Sequence, residues 1–304
     1  MSHDLLQALA IFAAGLAAGT INTVVGSGTL ITFPVLLAFG YPPVLANVSN
    51  NVGLVPGTVS GAYGYRAELA GQRRRLIRLG AASLCGGLVG AILLLVLPAG
   101  AFKAIVPALI GVALVMVVFQ PRLSRWVAAR QQARTAAQAG SQAGPGNAGA
   151  PGGDSDPGGG PGSGAAGAVT AVTAVGTATA VREETVLQAG GPALCVLVFL
   201  SGVYGGYFGA AQGVLLLGLM GVAFTDSMQR INAVKVVLAG LVNGIAAVVF
   251  VIATHIDWGA AGLIAAGAIL GGQIGARIGR KLPPWGLRVL IICVGVAALI
   301  KLLA

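Results

Sequence analysis

The chain has 304 residues, 56% of them hydrophobic and only 9% charged, with a mean hydropathy of +0.90. Soluble domains carry about a quarter charged residues, so a water-soluble globular fold is excluded and a polytopic membrane protein follows. The net charge of +10 would point to nucleic acid in a soluble chain. Here the basic residues sit in short gaps between apolar runs, where membrane topology accounts for them and no nucleic-acid partner is needed.

Ten apolar segments follow in order: 5–25, 28–39, 44–64, 77–97, 102–119, 187–208, 212–224, 231–253, 259–276 and 286–303. The opening MSHD lacks a basic n-region, so no cleaved signal peptide is expected. Most segments approach the ~20 residues that cross a bilayer as a helix. Segments 28–39 and 212–224 are too short, and each follows a glycine-rich break. Each reads as the second half of a broken helix or re-entrant hairpin. Cys85, Cys195 and Cys293 are isolated within apolar runs and read as small core residues. The aromatic-belt pattern assigns Trp126, Trp258 and Trp285 to the membrane interfaces, and His255 with them.

Between segments five and six, residues 131–184 are dominated by Gly, Ala, Pro and Ser. Such a stretch has too little large apolar surface to offset its ordering entropy and reads as a disordered tether. Two membrane units result, 1–130 and 185–304. Arginines cluster at 66–78, 122–134 and 277–288. The positive-inside tendency puts all three groups, and the linker, in the cytoplasm. Both termini are then extracytoplasmic.

The two units resemble each other. "AGTINTVVGSGTLITFPVLLAFG" (18–40) parallels "SGVYGGYFGAAQGVLLLGLMGVAF" (201–224), and "ANVSNNVGLVPG" (46–57) parallels "MQRINAVKVVLAG" (228–240), with Asn50 matching Asn232. Each unit is one glycine-broken hairpin plus three spans. An odd number of segments inverts the second unit relative to the first. The predicted fold is all-α, with two inverted repeats and eight to ten membrane segments, an arrangement common among secondary transporters.

The eight acidic residues, Asp4, Glu68, Asp154, Asp156, Glu183, Glu184, Asp226 and Asp257, all lie outside span centres. A cation carrier or proton pump usually keeps a carboxylate in the membrane, so this pattern argues against cation transport. No HExxH, GxSxG or paired Cys/His spacing occurs. We therefore expect neither an enzyme nor a bound metal or other cofactor. Within the spans stand hydrogen-bonding groups and one cation. The candidate substrate-binding set is Asn22, Gly26, Ser27, Gly28, Thr29, Asn50, Asn51, Gly209, Gln212, Gly213, Asn232 and Lys235. Amide and hydroxyl donors, free N–H groups at half-helix starts and one ammonium suit a small oxyanion. Two readings fit Lys235: a site residue three positions after Asn232 on one helix face, or a side chain snorkelling to the cytoplasmic face. Any single Asn or Gln here also suits a helix–helix hydrogen bond. "GAILGGQIGARIG" (267–279) reads as close helix packing.

Alternatives from other classes are a membrane enzyme acting on a lipid head group, with only His255 and Asp257 near each other, and a cation carrier. The hairpin "AGTINTVVGSGTLITFPVLLAFGYPP" followed by "ANVSNN", with "SGVYGGYFGAAQG", "DSMQRINAVKVVLAGLVNGIAA" and "IDWGAAGLIAAGAILGGQIGARIGRKL", resembles the sulfite exporter TauE/SafE family (former DUF81) across both membrane units. The resemblance implies a bacterial plasma-membrane transporter of sulfite, sulfonates or related small organic anions. The chain departs from the family's pattern at Ala211 and Gln212, where glycine is usual, and in its long linker.

Overall fold

The computed structural model describes residues 3–142, 191–224, 226–278 and 284–303. Among these residues there are ten helices and no strand: α1 (His3–Val24), α2 (Thr29–Ala38), α3 (Pro43–Gly64), α4 (Arg73–Val96), α5 (Ala99–Gln142), α6 (Pro192–Tyr207), α7 (Gln212–Ala223), α8 (Met228–Ala253), α9 (Trp258–Ile278) and α10 (Pro284–Leu303). By length and composition five of them can cross a bilayer, over Asp4–Val24, Arg73–Val96, Gly100–Trp126, Met228–Ala253 and Trp258–Arg277. Helix α3 has the length but carries Asn47, Ser49, Asn50 and Asn51, all buried. It spends its polar groups inside the bundle rather than toward lipid.

The helices correspond closely to the ten expected segments, with one extension. Helix α5 continues to Gln142, so 131–142, at the start of the expected tether, is helical. Its Ala, Gln and Arg residues are good helix formers. Residues 143–184 lie outside the described residues. So does the side chain of Trp285, whereas Trp126 and Trp258 are exposed, as is His255. Cys85 and Cys293 are exposed rather than in the core, and Cys195 is half-buried. In a bilayer an apolar side chain faces lipid without penalty, so an apolar neighbourhood in sequence does not imply burial.

The pattern of neighbours repeats. Helix α1 packs along α9 and α6 packs along α4. Helix α3 packs on α9 and α8 packs on α4, while α2 meets α10 and α7 meets α5. Exchanging the first five helices with the second five, in order, returns these same pairs. Glycines make both long pairs close. A Cβ at Gly271 would stand 2.1 Å from the Leu16 carbonyl oxygen in the α1–α9 pair, and one at Gly90 would stand 2.1 Å from the Val203 carbonyl oxygen in the α4–α6 pair.

The two ends of the bundle are tied by links that this exchange also relates. At one end the α7–α8 link meets the α3–α4 link. Arg75 pairs with Asp226, which also takes Arg230 Nε at 3.4 Å. The Arg75 guanidinium lies 3.7 Å over the Phe224 ring. Arg230 donates to the Ala70 carbonyl at 3.2 Å, and Gln72 Nε2 donates to the Arg230 carbonyl at 3.4 Å. At the other end the α2–α3 link meets the α8–α9 link. Asp257 donates its N–H to Ser49 Oγ at 3.0 Å, and Gln7 donates to the Tyr41 hydroxyl at 3.4 Å. Burial, reinforced by the Asp257 carboxylate, pushes the Tyr41 phenol above its ordinary value.

Candidate functional site

Both glycine-rich stretches break their helices. Helix α1 stops at Val24, and the chain turns through Gly26 at φ +91° before α2 starts at Thr29. Helix α6 stops at Tyr207, and the chain turns through Gly209 (φ +77°) and Ala211 (φ +61°) before α7 starts at Gln212. Ala211 is the one non-glycine residue with positive φ among the described residues. It stands where the sequence resemblance led us to expect glycine.

The two breaks meet in the middle of the bundle. Gly213 donates its N–H to the Gly26 carbonyl at 3.0 Å. A Cβ on either glycine would lie 2.5 Å from the other's Cα. Phe33 of α2 packs edge-to-face on Phe208 of the second break, with ring centroids 5.2 Å apart. The starts of α2 and α7 therefore converge. A helix start carries unpaired N–H groups and about half a positive charge. Two buried side chains stand at this convergence without hydrogen-bond partners: Ser27 Oγ, fully buried, and Gln212 Nε2, whose residue is 2% exposed. The Gln212 side chain folds over Gly205, where a Cβ would lie 2.3 Å from the amide carbon.

Asn50 and Asn232 hold opposite sides of the first break. Asn50 grips the start of α2, donating to Thr29 Oγ1 at 3.4 Å and accepting from Thr32 Oγ1. Asn232 grips the end of α1, donating to the Thr23 carbonyl at 3.0 Å and to the Tyr65 hydroxyl at 3.0 Å. Lys235 joins it. Its ammonium donates to the Asn22 and Thr23 carbonyls, both at 3.3 Å, and its residue is 0% exposed. Of the two sequence readings, snorkelling is thus overturned: the ammonium stays inside, on the negative end of α1. The second break has a matching cap, since Asn47 donates to the Tyr207 carbonyl at 3.0 Å. In each case the third helix of one unit caps the broken first helix of the other.

The remaining candidates divide. Gly28 is packed against α1, with a Cβ there 2.5 Å from the Ala18 carbonyl oxygen, and Gly209 lies beside Thr29. Asn22 takes part through its carbonyl. No hydrogen bond among the described residues ties Asn51 to the crossing, and its buried Oδ1 has no partner. Sequence reasoning missed Thr32 and Tyr65 and left Asn47 out of the candidate set. Thr32 falls one turn after Thr29, a spacing that could have flagged it. Nothing local marks Tyr65.

The described carboxylates lie away from the crossing. Asp4 is in the first turn of α1, and Asp226 is paired with arginines. Asp257 caps α9, accepting from the Ala260 N–H at 2.8 Å. Among the described residues, the crossing therefore offers hydrogen-bond donors and the Lys235 amine, with no carboxylate beside them.

Residues 11–302 match the family model described as Sulfite exporter TauE/SafE. The chain belongs to this family. It is accordingly a multi-pass membrane protein. It is also 29% identical over 100 residues to a "Probable membrane transporter protein ORF9" of Sinorhizobium sp, a match covering 33% of this chain and 38% of that relative. No solved structure matches.

Proposed function

We propose that this TauE/SafE protein is a secondary transporter or facilitator of small anions, with sulfite and sulfonates as the leading substrates, and that it works by alternating access. The observation that carries the reading is the convergence of two helix starts at the Gly26–Gly213 contact, with buried Ser27 Oγ and Gln212 Nε2 lacking partners there. Buried donors without partners are costly, and an oxyanion would satisfy them. Lys235 adds a fully buried amine donor beside the first break. The substrate set is Ser27, Gln212 and Lys235, with Thr29 and the backbone of Gly26, Gly28, Gly209 and Gly213. Asn50, Asn232 and Asn22 brace the breaks from either side.

Alternating access needs one closure at each end, and the exchange-related links supply candidates. The Arg75–Asp226–Arg230 cluster closes one end and the Tyr41–Asp257–Ser49 contact the other. In this reading the repeats are inverted in a bacterial plasma membrane, and the arginine-rich end with residues 131–184 is cytoplasmic. The exchange of the two halves also swaps the two tied ends of the bundle, which supports the inversion. No observation favours the lipid-enzyme reading, because the Asp257 carboxylate is engaged as a helix cap. The test is anion flux in vesicles holding the purified protein, across sulfite, sulfonates and carboxylates. Flux of at least one anion above protein-free vesicles is expected, and none above that level overturns the reading.

A further inference from the structure

A cleft of about 710 Å³ lies between α5, α6 and α7. Its walls are apolar, with Met116, Leu197, Leu215 and Val222 among them, and Arg122 and Trp126 stand at one end. That end also holds Ala223, where α7 finishes, so it is the end of the bundle carrying the Arg75–Asp226 pair. The other end reaches Val214, the residue after Gly213.

Three features define what fits. First, length: the cleft follows α7, whose 12 residues rise about 18 Å, close to the ~15 Å hydrocarbon depth of one leaflet. A small anion would use almost none of this wall, whereas one acyl chain would cover it. Second, charge: the Arg122 guanidinium lies 5.3 Å over the Phe119 ring, and no carboxylate partners it among the described residues. Arg125, one turn on and exposed, adds positive charge beside it. Third, Trp126 is 49% exposed at the same level, and an indole of this kind sits at the lipid head-group boundary. An apolar slot one leaflet deep, closed at its polar end by an arginine that no described carboxylate pairs, is complementary to an anionic lipid.

We propose that this cleft binds one acyl chain of an anionic phospholipid, with the headgroup phosphate held by Arg122. The lipid braces α7, the half-helix whose first turn meets Gly26. The proposal requires that the chain sit in a bilayer, and it does not depend on which solute the crossing carries.

The test uses the full-length protein in a neutral detergent. Its thermal unfolding is followed by tryptophan fluorescence with added phosphatidylglycerol or with phosphatidylcholine of the same acyl chains. Phosphatidylglycerol is expected to raise the midpoint about 3 °C more than phosphatidylcholine does. Arg122→Gln should lose that difference, and Ala193→Trp, which fills the mouth of the cleft, should lose the response to both lipids. Equal responses to the two lipids, or an Arg122→Gln protein that responds like the parent, would overturn the proposal. Native mass spectrometry of the unmodified protein provides a second readout that needs no variant. Preferential retention of one phosphatidylglycerol supports the site, and equal retention of both lipids contradicts it.

Discussion

The backbone N–H of Gly213 donates to the carbonyl of Gly26 at 3.0 Å. This one bond joins two helix breaks from the two halves of the sequence, and it brings two helix starts to the same buried spot. With no side chain on either residue, the backbones approach until a Cβ would stand 2.5 Å from the facing Cα. The site is therefore made by what these positions lack as much as by the polar groups around them.

Gly26→Ala and Gly213→Ala should each force the crossing apart. We expect a loss of transport of about tenfold or more, or a loss of 1–3 kcal/mol, roughly the cost of overpacking, in stability. Gly244→Ala, where nothing lies within 4 Å, should behave like the parent. Flux normalised to the monodisperse protein recovered by size exclusion separates the two effects.

Ala211 occupies the left-handed region at φ +61°, which costs a residue with a Cβ about 1–2 kcal/mol. Ala211→Gly should stabilise the protein by about 1 kcal/mol after the entropy of glycine is counted. The check is a higher unfolding midpoint with the fold unchanged by circular dichroism. A lower midpoint would mean that the Ala211 methyl packing outweighs the backbone strain.

Asn50 and Thr32 should behave as one unit. Asn50→Leu and Thr32→Val should each cost about 1–2 kcal/mol, because each leaves a buried polar group unpaired. The double variant should cost less than the sum by about 1 kcal/mol. Strict additivity in thermal unfolding would show that the hydrogen bond contributes nothing.

Arg75→Gln and Asp226→Asn should loosen the arginine-rich end. The pair is about three-quarters buried, with side chains 23% and 26% exposed. Its worth is therefore on the order of 1 kcal/mol, enough to shift a two-state opening about fivefold. Thiol labelling of a cysteine placed at Ala70 reads this directly. Faster labelling in either single variant, restored by the exchange Arg75→Asp with Asp226→Arg, is the expected pattern.

The contact at the other end should be indifferent to pH through the neutral range. Burial and the Asp257 carboxylate raise the Tyr41 phenol. A raised group contributes stability that is complete below its ordinary value of about 10 and lost as pH rises through the raised value. Labelling of a cysteine placed at Gln7 should therefore be unaffected by this phenol between about pH 5 and 9. Acceleration that tracks titration within that window, and disappears in Tyr41→Phe, would contradict it.

Much of this was legible in the sequence, and the part that was not has a physical reason. Glycines at Gly26, Gly28, Gly209 and Gly213, clustered just before apolar segments too short to span, announce breaks, whereas glycines at helical spacing such as Gly267 and Gly271 serve close packing. The i, i+3 spacing put Asn232 and Lys235 on one face, and both grip the end of α1. Spacing along one helix does not say which partner lies opposite. Tyr65 is met by Asn232, and Tyr207 by Asn47, through chain separations that no local pattern encodes. The exposed Cys85 and Cys293 show the same limit, since hydropathy does not distinguish facing lipid from facing protein. Helix α5 outran its expected end because a stretch poor in large apolar residues can still be rich in helix formers.

The central claim is that an anion binds where the two helix starts meet, beside the ammonium of Lys235. The most direct measurement is the initial rate of radiolabelled sulfite entry into vesicles containing the purified protein or its Lys235→Met variant, with Ni²⁺ as a cation comparison. The account predicts sulfite flux above protein-free vesicles, a drop of about tenfold or more in the variant, and no Ni²⁺ flux. Sulfite flux untouched by Lys235→Met, or flux of Ni²⁺ alone, would contradict it.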